Sequence, residues 1–264
     1  MFYIWIQSKM MKKLTLAILS CIGAISINAQ TPSKEDIKKA LGEFIDCPAG
    51  TFVMGSPQME KGRSNDEKQH EVELSGFSLQ AMEVTQRSWE MVMGSNPSDD
   101  RTWKDNPVTN VSYTMAQLYI QRLNELTGEL YSLPTEAQWE YAARCGQKGN
   151  KVYAGADSIL QVAWFIENSD GRVHVVGELQ PNAWGFYDMS GNVMEWCSDQ
   201  YADYRLDQKN KKDPKGADRS SLFVLRGGSW KSPRNECRLA ARSENGKGVD
   251  KSTYGLRLVR MTKN

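Results

Sequence analysis

The stretch Pro181–Tyr201, PNAWGFYDMSGNVMEWCSDQY, combines a turn with two closely spaced carboxylates. Asp188 precedes the turn at Ser190-Gly191, and Glu195 follows it. Such a turn lets backbone carbonyls point inward, and Ca²⁺ binds carboxylate and carbonyl oxygens together. From these residues alone a structural role is favoured, in which Asp188 caps the turn and Glu195 accepts buried backbone hydrogen bonds.

Two well-signalled helices precede this stretch. Ser112 caps a segment with apolar residues at helical spacing, and Gly128 ends it. Thr135 begins the second helix, where Gln138 three residues later completes a capping box. Gly146 closes this helix. These two are the main helices that the sequence predicts.

Weaker signals predict shorter elements. A brief lead-in helix is expected within residues 30–45, where Ser33 heads a charged segment. Another helix is expected from Thr85 to Met93, with Gly94 as its stop. Strands are expected at residues 52–56, at 70–80 as a strand pair or one bulged strand, and at 254–260 as a single alternating strand.

Composition is that of an ordinary globular protein. The chain has 264 residues, a net charge of +1, 40% apolar and 25% charged residues. The balanced charge argues against nucleic-acid binding. Eight Trp at scattered positions predict a loop-rich fold held by separate aromatic anchors. Because residues 151–264 show almost no helical periodicity, we predict one α+β domain with two main helices and many long loops.

The N-terminal residues resemble an export signal. Two lysines precede the apolar run LTLAILSCIGAISI, which predicts a signal peptide over residues 1–29, cleaved after Ala29. Residues 1–10 are expected to lie upstream of the true start. The alternative is a lipoprotein with its anchor on Cys21. Either way we expect an exported protein, periplasmic or extracellular, and no transmembrane span in the mature chain, because the run is too short.

Cleavage at this point would leave four cysteines, Cys47, Cys145, Cys197 and Cys237. Their even number in an oxidising compartment favours disulfides. Four cysteines allow three complete pairings, and the residues alone do not choose among them.

Seven motifs occur in order along the chain. They are FVMGS, MEVTQRSWEMV, NPVTNVSY, LPTEAQWEYAAR, PNAWGFYDMSGNVMEWCSDQY, VLRGGSW and YGLRLVR. Together they resemble the sulfatase-modifying factor family, which comprises the formylglycine-generating enzymes and their bacterial relatives. The resemblance runs from about Asp46 to Arg260 and implies a C-type-lectin-like formylglycine-generating-enzyme fold for a domain over residues 46–262.

The resemblance also implies a calcium site. The matching positions are Asp188 and Glu195, which would bind by side chain, and Gly191 and Val193, which would bind by backbone. A second calcium site of the family has no ligands that can be placed in the stretch VAWFIENSDGR.

Formylglycine-generating enzymes bind Cu(I) through two cysteines that follow the RGGS motif five residues apart. Counted forward from that motif, Ser232 and Cys237 take these positions; counted back from AAR, Cys237 matches neither. Under either count one thiolate is missing, and a hydroxyl is a poor ligand for a soft ion. Ser229 of the oxygen-side pocket is kept. Cys237 and Ser229 are therefore the candidate catalytic residues, and copper is not expected.

Bacterial relatives without the copper pair carry cysteines like Cys197 and Cys237 together, so the resemblance implies a Cys197–Cys237 disulfide. It would close a loop of about forty residues and contribute about 3–4 kcal/mol. Cys47 and Cys145 would then be paired or free. Two histidines, His70 and His174, are too few for a typical zinc or non-haem iron site.

Three functions stay open. The favoured one is an exported, calcium-stabilised module that binds a protein, peptide or glycan through loops at 201–221 and 229–250. The second is a formylglycine-generating oxidase that acts on sulfatases through Cys237. The third is a structural subunit of an envelope secretion or gliding assembly. The missing copper cysteine favours the first.

Overall fold

Capping residues set the starts of the four α-helices. The computed structural model describes residues 32–146, 151–204, 211–216 and 220–261. The α-helices of these residues are α1 (Lys34–Leu41), α2 (Gln86–Met93), α3 (Tyr113–Thr127) and α4 (Glu136–Ala143). The side chain that precedes each helix accepts a hydrogen bond from a backbone N–H in its first turn. These caps are Ser33, Thr85, Ser112 and Thr135, and all four predicted helix starts are confirmed.

Helix lengths differ from the prediction in one respect. α3 has 15 residues, whereas α4, which was predicted as the second main helix, has 8 residues, like α1 and α2. α4 ends at Ala143 because the chain soon leaves helical backbone geometry, with positive φ angles of 52° at Cys145 and 71° at Gly146. The predicted capping box of Thr135 and Gln138 is present.

Short strands form three sheets among the described residues. The first sheet has the order β1-β4-β10-β5, the second pairs β2 with β3, and the third has the order β8-β7-β6-β9. Every strand pair is antiparallel except β6 with β9. The strands are β1 (Phe44–Cys47), β2 (Gly50–Met54), β3 (His70–Leu74), β4 (Phe77–Gln80), β5 (Leu130–Ser132), β6 (Met194–Gln200), β7 (Leu222–Arg226), β8 (Arg242–Gly246), β9 (Tyr254–Gly255) and β10 (Val259–Met261).

The closing motif YGLRLVR is not the single strand that its alternation predicted. It is divided into β9 and β10, which belong to different sheets. Between them Arg257 is fully buried and donates to the carbonyls of Gln80 and Ala81 at 3.0 Å each. A buried guanidinium needs such partners. The residues between β9 and β10 place Arg257 beside them, which divides the motif between two sheets. Residues 70–80 form a strand pair, β3 and β4, as one of the two alternatives predicted.

Large aromatic side chains fill the interior. Trp89, Trp139 and Trp196 are among the largest fully buried side chains, which confirms their predicted role as anchors. Trp103 is different, because 57% of it is exposed. The described residues from Ser33 onwards form one compact unit. No helix in the described part is long and apolar enough to cross a bilayer. The predicted signal peptide and the alternative anchor Cys21 lie outside the described residues.

Candidate functional site

A glycine turn after β7 places both candidate catalytic side chains in the interior. Gly227 and Gly228 adopt positive φ angles of 94° and 71°. A Cβ on Gly228 would lie 2.7 Å from the Sγ of Cys237, so the turn packs directly on this thiol. Ser229 is 1% exposed and Cys237 is 0% exposed.

The environment of Cys237 is apolar. Its side chain belongs to a small cluster with Ile159, Ala163 and Phe165. Burial, and to a lesser degree the neighbouring carboxylate of Glu236, raises the pKa of the Cys237 thiol to about 12. The thiolate is the good nucleophile, so the neutral form that dominates here is a poor one.

Ser232, which takes a copper-cysteine position when the count runs forward from RGGS, is equally buried. Ser232 is 3% exposed, and its Oγ lies 3.3 Å from the Oγ of Ser229. A serine pair is a hard, neutral donor set, which does not suit Cu(I). Among the described residues there is also no group of three or more His, Cys, Asp or Glu side chains that could hold a metal ion.

The predicted Cys197–Cys237 disulfide is not formed in the structure, where all four described cysteines are free and buried. Cys197 belongs to the large cluster around Trp139, whereas Cys237 belongs to the small cluster around Phe165. The two thiols therefore serve two different parts of the core. Burial, followed by the nearby carboxylates of Asp199 and Glu136, raises the pKa of the Cys197 thiol well above its usual value.

A buried ion pair lies at the centre of the predicted calcium region. Arg257 donates from Nε to Glu195 Oε2 at 2.7 Å and from Nη2 to Glu195 Oε1 at 2.8 Å. The indole Nε1 of Trp139 donates to the same Oε2 at 2.7 Å. Both side chains of the ion pair are completely buried. Glu195 is thus a structural anchor between β6 and the segment that joins β9 to β10.

Two further buried carboxylates lie beside this pair. Asp188 accepts a hydrogen bond from the backbone N–H of Gly177 at 2.7 Å. Burial is the main cause that raises the pKa of Asp188 to about 6. Glu83 accepts from Asn192 Nδ2 at 2.8 Å and from the Val193 N–H at 3.1 Å. Burial, followed by the charges of Asp188 and Glu195, raises the pKa of Glu83 well above its ordinary value.

Glu83, Asp188, Glu195 and Arg257 form what we call the carboxylate cluster. Three acidic groups face one guanidinium, so the fully ionised cluster would carry surplus negative charge in a dry interior. The structure brings together both predicted side-chain ligands of calcium, Asp188 and Glu195. It places Cys237 and Ser229 apart from them, around the glycine turn.

The loop that carries Asp188 is tightly packed. Asp188, Gly191 and Asn192 all have positive φ angles, of 56°, 86° and 58°. A Cβ on Gly191 would lie 2.3 Å from the carbonyl oxygen of Trp164. The Gly191 N–H donates to the carbonyl of Gly227 at 2.8 Å, which joins this loop to the glycine turn.

The oxygens here are of the kind that a hard cation binds, but Glu83, Asp188 and Glu195 are not arranged as a group that could hold a metal ion by side chains alone. Asp188 and Glu83 supply carboxylate oxygens, and the surplus charge favours a cation. Glu195 already bonds Arg257 and Trp139, so a calcium ion would also need the main-chain carbonyls of Gly191 and Val193. The ligand set of Asp188, Gly191, Val193 and Glu195 stays a prediction.

Sequence reasoning missed Glu83 and Arg257. Glu83 lies in the motif MEVTQRSWEMV and is 1% exposed, and Arg257 lies in YGLRLVR and is 0% exposed. The available signal was a charged residue inside an otherwise apolar stretch, because such a residue is rarely buried unless it is paired.

The predicted binding loops at 201–221 and 229–250 are only partly described. In the loop at 201–221, residues 205–210 and 217–219 lie outside the described part.

Comparison with known proteins gives a family match. The model of the sulfatase-modifying factor enzyme 1-like domain matches residues 29–262. The chain is 34% identical over 157 residues to the serine/threonine-protein kinase pkn1 of Chlamydia pneumoniae, a match over 59% of this chain and 24% of that protein. It is 28% identical to the chaperone protein LppX of Paenibacillus barcinonensis, over 94% of this chain and 97% of that protein.

A third relative is the formylglycine-generating enzyme of Streptomyces coelicolor, which is 33% identical over 169 residues, 58% of this chain and 52% of the enzyme. The chain thus spans only a quarter of the kinase and about half of this enzyme.

Solved structures share the fold. Treponema denticola variable protein 1 superposes with a TM-score of 0.75 and 26% identity, over 82% of this chain and 94% of that protein. PvdO from Pseudomonas aeruginosa gives a TM-score of 0.73 and 28% identity, over 83% of this chain and 94% of that protein. These likenesses confirm the predicted α+β fold class.

Proposed function

We propose that the chain, which belongs to the family of sulfatase-modifying factor enzyme 1-like domains, is an exported binding module. Calcium would stabilise this module, and the module would do no copper chemistry. The observation that carries this proposal is the state of Cys237. The side chain is 0% exposed and the thiol pKa is about 12. One of the two thiolates that Cu(I) needs is missing under either count, and the forward count has Ser232 in its place.

An oxidase of the formylglycine-generating type needs a reachable site beside the RGGS turn. Here Ser229, Ser232 and Cys237 are all buried, and the turn glycines lie directly on the thiol. A copper ion could reach Cys237 only after local opening of the turn. This geometry supports the part of the proposal that excludes copper oxidation at Cys237.

Thiol reactivity tests this assignment. At pH 8 a thiol of pKa about 12 is ionised to the order of 10⁻⁴, so we expect iodoacetamide to leave Cys237 unmodified in the folded protein. The rate should rise about tenfold for each pH unit up to the pKa while the fold persists. The measurement is mass spectrometry of the alkylated peptide, with urea-unfolded protein as the control. Rapid modification of Cys237 in the folded protein at pH 8 would contradict the proposal.

Relatives named formylglycine-generating enzyme favour a second candidate, an oxidase that acts on a sulfatase cysteine. Their identity to this chain is 33% and 25%, over 58% and 83% of its length. This candidate requires Cys237 to be reactive, so the alkylation experiment separates it from the binding module.

Calcium would serve the module as a structural ion. Asp188 and Glu83 would supply side-chain oxygens, and Gly191 and Val193 main-chain oxygens, while Arg257 keeps Glu195 in place. A bound cation would offset the surplus negative charge of the carboxylate cluster and hold the Asp188 loop against the glycine turn.

We therefore expect calcium to raise the melting temperature relative to the protein in EDTA. At a free concentration about a hundredfold above the dissociation constant, the gain is about 2.7 kcal/mol, or about 5–10 °C for a domain of this size. Asp188→Asn should remove the calcium-dependent rise, whereas Asp157→Asn, at an 83% exposed side chain, should keep it. A parent protein whose melting temperature is the same in calcium and in EDTA would show that the site is wrong.

A further inference from the structure

A cleft of about 390 Å³ lies between the C-terminal end of α1 and the first sheet. We call it the Arg260 cleft. It is lined by Lys38 from α1, Phe44 from β1, Tyr131 from β5, and Arg260 and Met261 from β10. Its volume lies within the range of about 300–1,000 Å³ that is typical of small-molecule sites. The cleft shares no residue with the carboxylate cluster or with the glycine turn.

Two aromatic rings give the cleft an apolar side. The ring centroids of Phe44 and Tyr131 lie 5.6 Å apart, and the ring planes are tilted by 42°. Phe44 is half-buried, and Met261 nearby is 48% exposed. These side chains offer carbon surface on which the apolar part of a ligand can leave water.

Arg260 brings an unpaired cation to the cleft. It lies directly opposite Tyr131 in the β10–β5 pair, so the two side chains are on the same face of the sheet. Its guanidinium lies 5.1 Å from the centroid of the Phe44 ring and makes no ion pair or hydrogen bond with the described residues. A guanidinium presents a planar fork of N–H donors, which matches the two oxygens of a carboxylate.

Tyr131 adds a neutral donor beside this cation. The residue is only 5% exposed, yet its hydroxyl has no hydrogen-bond partner among the described residues. This hydroxyl is not one of the unpartnered polar atoms that are sealed from solvent, so it reaches the open space of the cleft. Burial is the main cause that raises the pKa of Tyr131, so the hydroxyl keeps its proton at neutral pH and can donate it to an acceptor.

Charge narrows the ligand class. Two cations, Lys38 and Arg260, and one anion, Glu129, line the cleft, which leaves one surplus positive charge. Glu129 lies 3.2 Å from the ammonium of Lys38 and 3.7 Å from that of Lys34, so it is already neutralised. A ligand with a single negative charge therefore balances the cleft. Inorganic phosphate would gain nothing from the aromatic side, and a neutral ligand would leave the guanidinium without an acceptor.

We propose that the Arg260 cleft binds a small monocarboxylate with an aromatic or aliphatic body. The carboxylate accepts from the guanidinium of Arg260 and from the hydroxyl of Tyr131, and the body packs against Phe44. This site goes beyond the function proposed above, because none of its residues takes part in the calcium or copper chemistry considered there. It stands whether the domain is a binding module or an oxidase.

Isothermal titration calorimetry of the purified protein tests the proposal. The probes are benzoate, phenylacetate and phenylpropionate, each compared with its neutral amide. Acetate provides a carboxylate without a body, and inorganic phosphate provides a different anion. The variants are Arg260→Gln and Tyr131→Phe. Arg122→Gln is the matched control, because Arg122 is an exposed arginine of α3 that does not line the cleft. Circular dichroism verifies that each variant is folded.

We expect at least one of the three aromatic carboxylates to bind with a dissociation constant of about 1 mM or below. Its amide and acetate should bind at least about tenfold more weakly, because each lacks one half of the recognised group. Arg260→Gln should weaken binding about tenfold or more, Tyr131→Phe should weaken it by a smaller factor, and Arg122→Gln should leave it unchanged.

Four results would overturn the proposal. The first is that none of the three carboxylates binds below about 10 mM. The second is that the amides bind as tightly as the carboxylates, and the third is that phosphate binds more tightly than all of them. The fourth is carboxylate binding that Arg260→Gln leaves intact.

Discussion

Replacing Arg257 with methionine is expected to destabilise the fold by about 3–5 kcal/mol. The substitution keeps an elongated side chain but removes the cation that bonds both carboxylate oxygens of Glu195. Glu195, Asp188 and Glu83 would then be buried together without a balancing charge. Urea unfolding followed by tryptophan fluorescence, in EDTA so that calcium cannot compensate, measures the loss of free energy.

Arg87→Met is the matched control for this prediction. Arg87 pairs with Asp105 at 2.9 Å, but the two side chains are 51% and 55% exposed. Exposed pairs contribute about 0–1 kcal/mol, so the control should unfold nearly like the parent. If Arg257→Met lost no more stability than Arg87→Met, the ion pair at the centre of the carboxylate cluster would not hold the fold.

The second large effect is expected from Gly191→Ala. The added Cβ would lie 2.3 Å from the Trp164 carbonyl oxygen and 2.8 Å from the Trp164 nitrogen. Both atoms are backbone, so no side chain can move aside. The positive φ of 86° adds strain for a residue with a Cβ. We expect a loss of at least about 4 kcal/mol, among the largest effects of a single substitution.

Gly171→Ala separates the two causes. Gly171 has a positive φ of 70°, but a Cβ there would have no heavy atom within 4 Å. Backbone strain alone should cost about 1 kcal/mol. Thermal and urea unfolding of both variants provide the comparison. Equal losses in the two would mean that the loop at Gly191 can move away from Trp164, contrary to the packing described.

The local part of the fold could be predicted from the sequence. Helix caps act within one turn, so Thr135 and Ser112 show in the sequence where α4 and α3 begin. The seven motifs carried the rest of the fold by resemblance. The split of YGLRLVR could not be read from alternation, because it depends on partners of Arg257 that lie about 60 and 175 residues away.

The site was only half predictable. Asp188 and Glu195 stood out because they flank a turn in one short stretch. Glu83 comes more than a hundred residues earlier and joins them only through tertiary contacts with Asn192 and Val193. The disulfide prediction failed in the structure for a related reason. An oxidising compartment allows cysteines to pair, but tertiary packing decides which cluster of the core each thiol enters.

Two buried ion-pair clusters hold different parts of the fold. The carboxylate cluster and its ion pair hold the Asp188 loop, and this loop holds the glycine turn that closes over Cys237. The loop over residues 56–69 is held by different ion pairs, those of Arg238 with Glu67 and Glu60.

The most direct test of the central claim is conversion of a sulfatase-type cysteine peptide to formylglycine. The purified protein, supplied with Cu(I) and oxygen, is incubated with the peptide, and the product is measured by mass spectrometry. A formylglycine-generating enzyme is the positive control, and Cys237→Ser is the matched variant. The account predicts no formylglycine above the level of the Cys237→Ser protein. Repeated turnover by the parent protein that Cys237→Ser abolishes would contradict it.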